Sequence, residues 1–247
     1  MDIPPPPEPP SSNPGDPFPR THWSVILAAG DSQSPEAVAA RDAFCRDYYP
    51  PVRAYFARAF HDPDRADDLT QGFFQQLFAK HWLKDVRRER GKFRAFLTTC
   101  VKRYAANAAA RDRAQKRGGH GENVPLDELE NGSYEPLQLV ESDSAVAAFD
   151  RAWAEGIVAR ANERLRAEYE ANGQRARFDV LKCYLQGGGP PQADTATRLG
   201  LELSNVKTSI HRLRQRYGEL LRAEVAKTVP WEDVEEELRY LLEIMFR

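Results

Sequence analysis

The stretch from Asp67 to Phe78, DDLTQGFFQQLF, has two unlike arcs when wound as a helix. Leu69, Phe73, Phe74, Leu77 and Phe78 fall together at the three- and four-residue steps of a core-facing stripe. The other arc carries Asp68, Gln71, Gly72, Gln75 and Gln76, with no Lys or Arg before Lys80. A solvated helix face ordinarily mixes both signs of charge. An amide-rich, cation-free face is therefore a candidate contact surface.

The helical period holds along most of the chain and two-residue alternation is nearly absent, which predicts an all-α fold. One helix is expected from about Ser34 and Pro35. A second is expected from Tyr48–Pro51, where Pro50 and Pro51 suit a helix start. HDPDRADDL supplies turn, capping and acidic residues for the N-terminus of the amide-rich helix. RRERG reads as a loop through Gly91, followed by a long helix to about Arg117. Gly, Asn-Gly and Pro breaks make a linker of 118–144. Beyond it, Phe149, Trp153, Ile157, Ala161 and Leu165 mark one face of a further helix, with Gly173 as its C-terminal cap. RFDVLKCYL predicts a short apolar helix and QGGGPPQ a loop. The segment from DTATRLG to LLRAEV predicts a helix, a tight turn and a longer helix. The tail predicts a last amphipathic helix with Val234, Leu238, Leu241, Leu242 and Met245 on one side. The expected architecture is two small helical domains, 21–117 and 145–225, joined by a flexible acidic linker. A disordered Pro-rich segment, 1–20, precedes them and an acidic amphipathic helix, 226–247, follows.

Charge sharpens this division. The chain has 247 residues, of which 29% are charged, and a net charge of only −2. That near-neutrality hides segregation. From Arg87 to Arg117 only Glu89 and Asp112 oppose a run of cations, whereas Gly121 to Asp150 holds no Lys or Arg. Local patches, rather than net charge, bind phosphate. Cys45, Cys100 and Cys183 lie far apart without a CxxC pair, so neither a zinc site nor a disulfide framework is expected, and a reducing cytoplasm fits. The N-terminus lacks the features of a signal peptide and no apolar run reaches membrane-spanning length, so a soluble cytoplasmic protein is expected. His22, His61, His81, His120 and His211 show no metal-ligand spacing. No nucleophile elbow, Walker loop or paired-carboxylate motif occurs. Enzymatic activity, a metal and a cofactor are accordingly not expected.

Two segments have the chemistry of nucleic-acid binding. In the late helix Val206, Ile210, Leu213 and Tyr217 form the apolar side. The opposite arc carries Ser204, Lys207, Thr208, His211, Arg212 and Gln215, donors suited to base edges and phosphates in a major groove. The preceding TATRLGL supplies small Ala196, core Leu199 and the Gly200 turn that let two helices cross closely. Earlier, GKFRAFLTTCVKRY interleaves rings and cations, as single-strand binding requires. Phe96, Leu97, Cys100, Val101 and Tyr104 also read as a plain core stripe.

In this order the motifs resemble bacterial RNA polymerase sigma factors of the sigma-70 family, in the compact extracytoplasmic-function (ECF) group. ADDLTQGFFQQLF is similar to the family's region 2.2. FRAFLTTCVKRYAANAAARDRAQKR is similar to regions 2.3 and 2.4, and TATRLGLELSNVKTSIHRLRQRYGELL to region 4.2. The resemblance spans roughly residues 38–222. It implies a protein that binds core RNA polymerase and directs it to promoter DNA. Asp68, Gln71, Gly72 and Gln75 would meet the clamp helices of the largest subunit, and the second domain would meet the flap. Phe93, Arg94, Arg103, Asn107 and Arg111 would take the minus-ten strand. Lys207, Thr208, Ser209, His211 and Arg212 would read the minus-thirty-five duplex, and the acidic linker would pass near the RNA exit path. An anti-sigma regulator would be a further partner; a membrane would not. The chain departs from the usual pattern at Gly72, where many members carry Glu, at Phe96, where Trp is usual, and at Arg103, where many carry Asn. LELSN also replaces the usual LSEGA.

A second reading is a stand-alone helix-turn-helix regulator. It would bind duplex operators unaided and normally as a dimer. It has no use for a separate basic-aromatic domain or for the Asp68 face. The tail acids Glu232, Asp233, Glu235, Glu236 and Glu237 admit two roles. They would cover the basic surface of the second domain and inhibit it, or the helix would only dock its Leu face to complete a core.

Overall fold

The structure is a computed structural model that describes residues 35–83, 92–116 and 142–246, and all regular structure among them is helical. The expected disordered N-terminus and most of the expected linker lie outside these residues. The helices are α1 (Pro35–Phe60), α2 (Pro63–Ala79), α3 (Phe93–Lys116), α4 (Ser142–Ala171), α5 (Arg175–Leu181), α6 (Gln192–Leu199), α7 (Leu203–Val225) and α8 (Val234–Phe246). Single 3₁₀ turns at Lys182–Gln186 and Trp231–Asp233 extend α5 and introduce α8.

The first two expected helices are one. α1 runs through Pro50 and Pro51 without a break. Proline lacks an N–H and its ring crowds the carbonyl four residues earlier, which favours a stop. Packing on both sides of the pair overrides it. Phe44 and Tyr48 before it, and Val52, Tyr55 and Phe56 after it, are all buried. Fully burying each such side chain is worth about 1.5–3 kcal/mol, which together exceeds the ~3 kcal/mol cost of an interior proline.

α2 starts as its sequence suggests. The Asp62 side chain caps it by accepting from the Arg65 N–H at 3.1 Å, and Pro63 opens the first turn. Ala66, Thr70, Phe73, Phe74 and Leu77 face the core. At the start of α3, Phe93 inserts between the rings of Phe44 and Tyr48, at centroid distances of 5.8 and 5.2 Å.

α4 carries the expected stripe: Phe149, Trp153, Ile157, Ala161 and Leu165 are all buried. Its end is a Schellman motif. Gly173, at φ 68°, donates to the Glu170 carbonyl, and Gln174 donates to the Tyr169 carbonyl at 2.8 Å. α6 ends the same way. Left-handed Gly200 donates to Thr197, and the Leu201 N–H donates to Ala196 at 3.0 Å, turning the chain into α7. On α8, Val234, Leu238 and Leu241 are buried as expected, while Leu242 is exposed and Glu237 is fully buried.

The two halves do not pack as separate domains. α1 lies along α4, the most extensive helix pairing among the described residues. α4 also meets α7 and α8, so one buried apolar cluster runs from Ala40 to Leu241. A charge cluster crosses the same junction. Arg160 of α4 donates from Nη1 to Asp47 of α1 at 3.3 Å and from Nε to Glu224 of α7 at 3.2 Å. Arg164 and Lys227 complete the partners of Glu224, whose side chain is 0% exposed. Burial opposes its charge, but these three cations hold its carboxyl below the ordinary value.

Candidate functional site

On α2, Asp68, Gln71 and Gln75 are exposed and lie on one face at three- and four-residue spacing. Their neighbour Asp67 is engaged elsewhere. It takes hydrogen bonds from Arg53 Nε at 2.6 Å and from the Tyr49 hydroxyl at 3.2 Å, tying α2 to α1. The hydrogen bond from Arg53 holds the Asp67 carboxyl below its ordinary value. Gly72 has a different part from the one its place in the motif suggests. A Cβ there would stand 2.5 Å from the Tyr104 hydroxyl oxygen. Tyr104, from α3, packs edge-on against Phe56 and Phe73. Gly72 is the gap in α2 that admits this ring. It offers the expected contact face no side chain.

The five residues expected to take the minus-ten strand separate into two groups. Arg103 and Arg111 are exposed and Asn107 is half-buried, one turn apart along the outer side of α3. Phe93 and Arg94 are not presented. Phe93 is 1% exposed, and its backbone N–H donates to the Thr228 carbonyl just past α7 at 3.2 Å. Arg94 donates from Nε to Glu237 of α8 at 2.8 Å and from Nη1 to Asp150 of α4 at 2.7 Å. Its guanidinium lies over the rings of Tyr240 and Trp153, 4.5 and 5.2 Å from their centroids. The Tyr240 hydroxyl donates to the other Asp150 oxygen at 2.6 Å. Beside it, Lys92 Nζ lies 2.7 Å from Glu236 and 3.0 Å from Glu237. Burial opposes the charge of Arg94, but the hydrogen bond to Glu237 and the neighbouring carboxylates hold its pKa above the ordinary value.

The sequence pattern assigns no role to Lys92, Asp150, Trp153 or Tyr240 in this cluster, and of the two roles open to the tail helix neither foresaw acids meeting Lys92 and Arg94. Of the tail acids, Glu236 meets Lys92 just before α3 and Glu237 meets Lys92 and Arg94, while Glu235 pairs with Arg222 of α7 at 2.6 Å. The signal available was Asp150, an acid on the edge of the apolar stripe of α4. Its partner lies 56 positions away, beyond the reach of any local pattern.

On α7, Lys207, Thr208, His211 and Arg212 are exposed, with Ser204, Asn205 and Gln215 beside them. Ser209 points the other way. It is 8% exposed, its hydroxyl donates to the Asn205 carbonyl, and it accepts from Arg177 of α5. A groove-reading role for Ser209 gives way to a packing one, because position 209 follows Val206 and precedes Ile210 and Leu213 on the inner arc. The helix begins at Leu203 after Glu202, without a side-chain cap, and Ser204 lies inside the first turn. Among the described residues no cluster of His, Cys, Asp or Glu could hold a metal ion. None of the described helices is long and apolar enough to cross a membrane.

Residues 44–115, spanning most of α1 through α3, match the family model described as Sigma-70 region 2. No curated protein and no solved structure matches the chain.

Proposed function

We propose, from the sigma-70 region 2 domain that marks this chain as a non-enzymatic sigma-70 family sigma factor acting in transcription initiation with core RNA polymerase, that it is an ECF-type promoter-specificity subunit of the cytoplasm. In this reading the exposed Asp68, Gln71 and Gln75 dock on the clamp helices of the largest polymerase subunit. A helix face without cations suits a partner surface that brings its own. Arg103, Asn107 and Arg111 track the minus-ten strand, and Phe93 and Arg94 join them once exposed, rings taking bases and cations taking phosphates. α6 and α7 form a region 4-like helix-turn-helix. Lys207, Thr208, His211 and Arg212 face the minus-thirty-five major groove, and that domain meets the flap. The acidic segment 118–144 passes near the RNA exit path.

The observation that carries this reading is the polar face of α2, inside the matched domain, left uncovered while its back is fully packed. The test mixes purified protein with core polymerase and follows run-off transcription from the chain's own upstream DNA. Asp68→Arg with Gln71→Ala should reduce core binding at least about tenfold, the size of a lost interface contact of ~1.4 kcal/mol or more. The far-ultraviolet circular dichroism should stay unchanged, since both side chains are exposed. Failure of the wild type to associate with core polymerase, with tight duplex binding by the protein alone, would leave the stand-alone regulator as the better reading.

A further inference from the structure

Arg94 is largely buried and Lys92 half-buried, and the groups that hold their charged ends are carboxylates. We propose that α8 and the start of α4 form an internal gate, in which Asp150, Glu236 and Glu237 take the place of promoter-strand phosphates on Lys92 and Arg94. The gate rests on the reading of the chain as a sigma factor and adds its regulation.

Three observations converge on it. The Arg94 side chain is only 14% exposed, its guanidinium lies over the rings of Trp153 and Tyr240, and two of its donor positions are taken by carboxylates of α4 and α8. Carboxylate oxygens accept charge-assisted hydrogen bonds from guanidinium and ammonium groups as phosphate oxygens do, so the cluster is chemically a substitute for DNA. The backbone beside it is held in the same place: the Phe93 N–H donates to Thr228 in the connection that leads to α8, while the Phe93 ring itself packs between Phe44 and Tyr48 of α1. Finally, Glu237 is 0% exposed. A helix whose only task was to complete a core could do so with Val234, Leu238 and Leu241, and would gain from an apolar residue at 237, because burying a carboxylate is costly unless cations meet it. Position 237 instead bears the acid that meets both Lys92 and Arg94.

The buried pairs also make the gate able to open. Ion pairs in a core add little net stability over apolar packing while fixing which surfaces meet. Phosphates offered to Lys92 and Arg94 would restore what those cations lose on opening. The carboxylates of Asp150 and Glu237 would return to water.

The test uses the full chain and a labelled single-stranded DNA from its own upstream region. Glu236→Gln with Glu237→Gln should bind that strand at least about fivefold more tightly than wild type, the lower end of typical coupling between sites. Adding Arg94→Ala should remove the gain. A reversible lock guards against a variant that merely loosens the fold. Lys92→Cys and Glu236→Cys are joined by a reducible bismaleimide in a Cys183→Ser background. Burial pushes the thiols of Cys45 and Cys100 up to about 11, leaving them poorly reactive at neutral pH. The locked protein should lose strand binding and run-off activity, and reduction should restore both. Equal activity before and after reduction, or unchanged affinity in the Gln variant, overturns the gate. Core polymerase binding is scored separately with wild type: its absence overturns the sigma-factor reading, whereas its presence with an ineffective lock overturns the gate alone.

Discussion

Gly72 and Tyr104 meet at a distance that leaves no room for a single methyl group. In an isolated helix Gly72→Ala would stabilise by about 1 kcal/mol. Here the new Cβ would stand 2.5 Å from a hydroxyl at the end of a ring wedged between Phe56 and Phe73. The ring cannot swing aside without opening the core. Gly72→Ala should therefore destabilise by roughly 1 kcal/mol in urea unfolding, in the range of overpacked sites. In a Tyr104→Phe background the same change should become neutral or stabilising, because the ring carbon that remains lies at an ordinary 3.7 Å. The sign reversal is a double-mutant coupling that a purely local effect of glycine could not produce. The sequence alone marked Gly72 as out of place in a helix. It could not say that the reason was a tyrosine 32 positions later, because close approach between helices leaves no trace in either helix's own period.

At the scale of elements, the apolar stripes of α2 and α4 were readable residue by residue, and so were the caps at Asp62, Gly173 and Gly200. Each depends on neighbours within a few positions. The continuity of α1 was not readable. Pro50 and Pro51 are strong local stop signals, and what overrides them is the ridge of aromatic residues that α4 and α2 grip from outside. The helix-to-helix charge clusters were likewise hidden, although their consequences are testable. Glu224 joins α7 to α4, and through Arg160 to α1. Its folded-state pKa lies below the ordinary 4.5 of an unfolded chain. The stability it contributes is thus fully present above about pH 4.5 and is lost as pH falls through the depressed value. Glu224→Gln should cost roughly 3 kcal/mol near neutral pH, the scale for breaking a buried ion cluster. Denaturation midpoints taken from pH 7 down to pH 3 should also fall less steeply in the variant than in wild type.

For the whole molecule, the order of motifs along the chain was legible and the arrangement of the halves was not. Spacing and composition point to two domains and a linker. In three dimensions α1 lies along α4, and contacts such as Arg94–Glu237 close a loop of 143 residues. The candidate site divides in the same way. The exposed sets on α2, on the outer side of α3 and on α7 follow from helical periodicity. The concealment of Phe93 and Arg94 depends on residues from three separate helices. It also equips the chain with its own optical reporter. Trp153 is 3% exposed and its indole lies beneath the Arg94 guanidinium, beside Tyr240. Separation of α3 from α4 and α8 would bring that indole into water and withdraw the cation from its face. Addition of core polymerase, or of single-stranded promoter DNA at saturation, should shift the tryptophan emission to longer wavelength in the wild type. A Trp153→Phe protein should lose most of that shift, so the closed and open populations can be counted in the unlabelled protein by the colour of one residue's light.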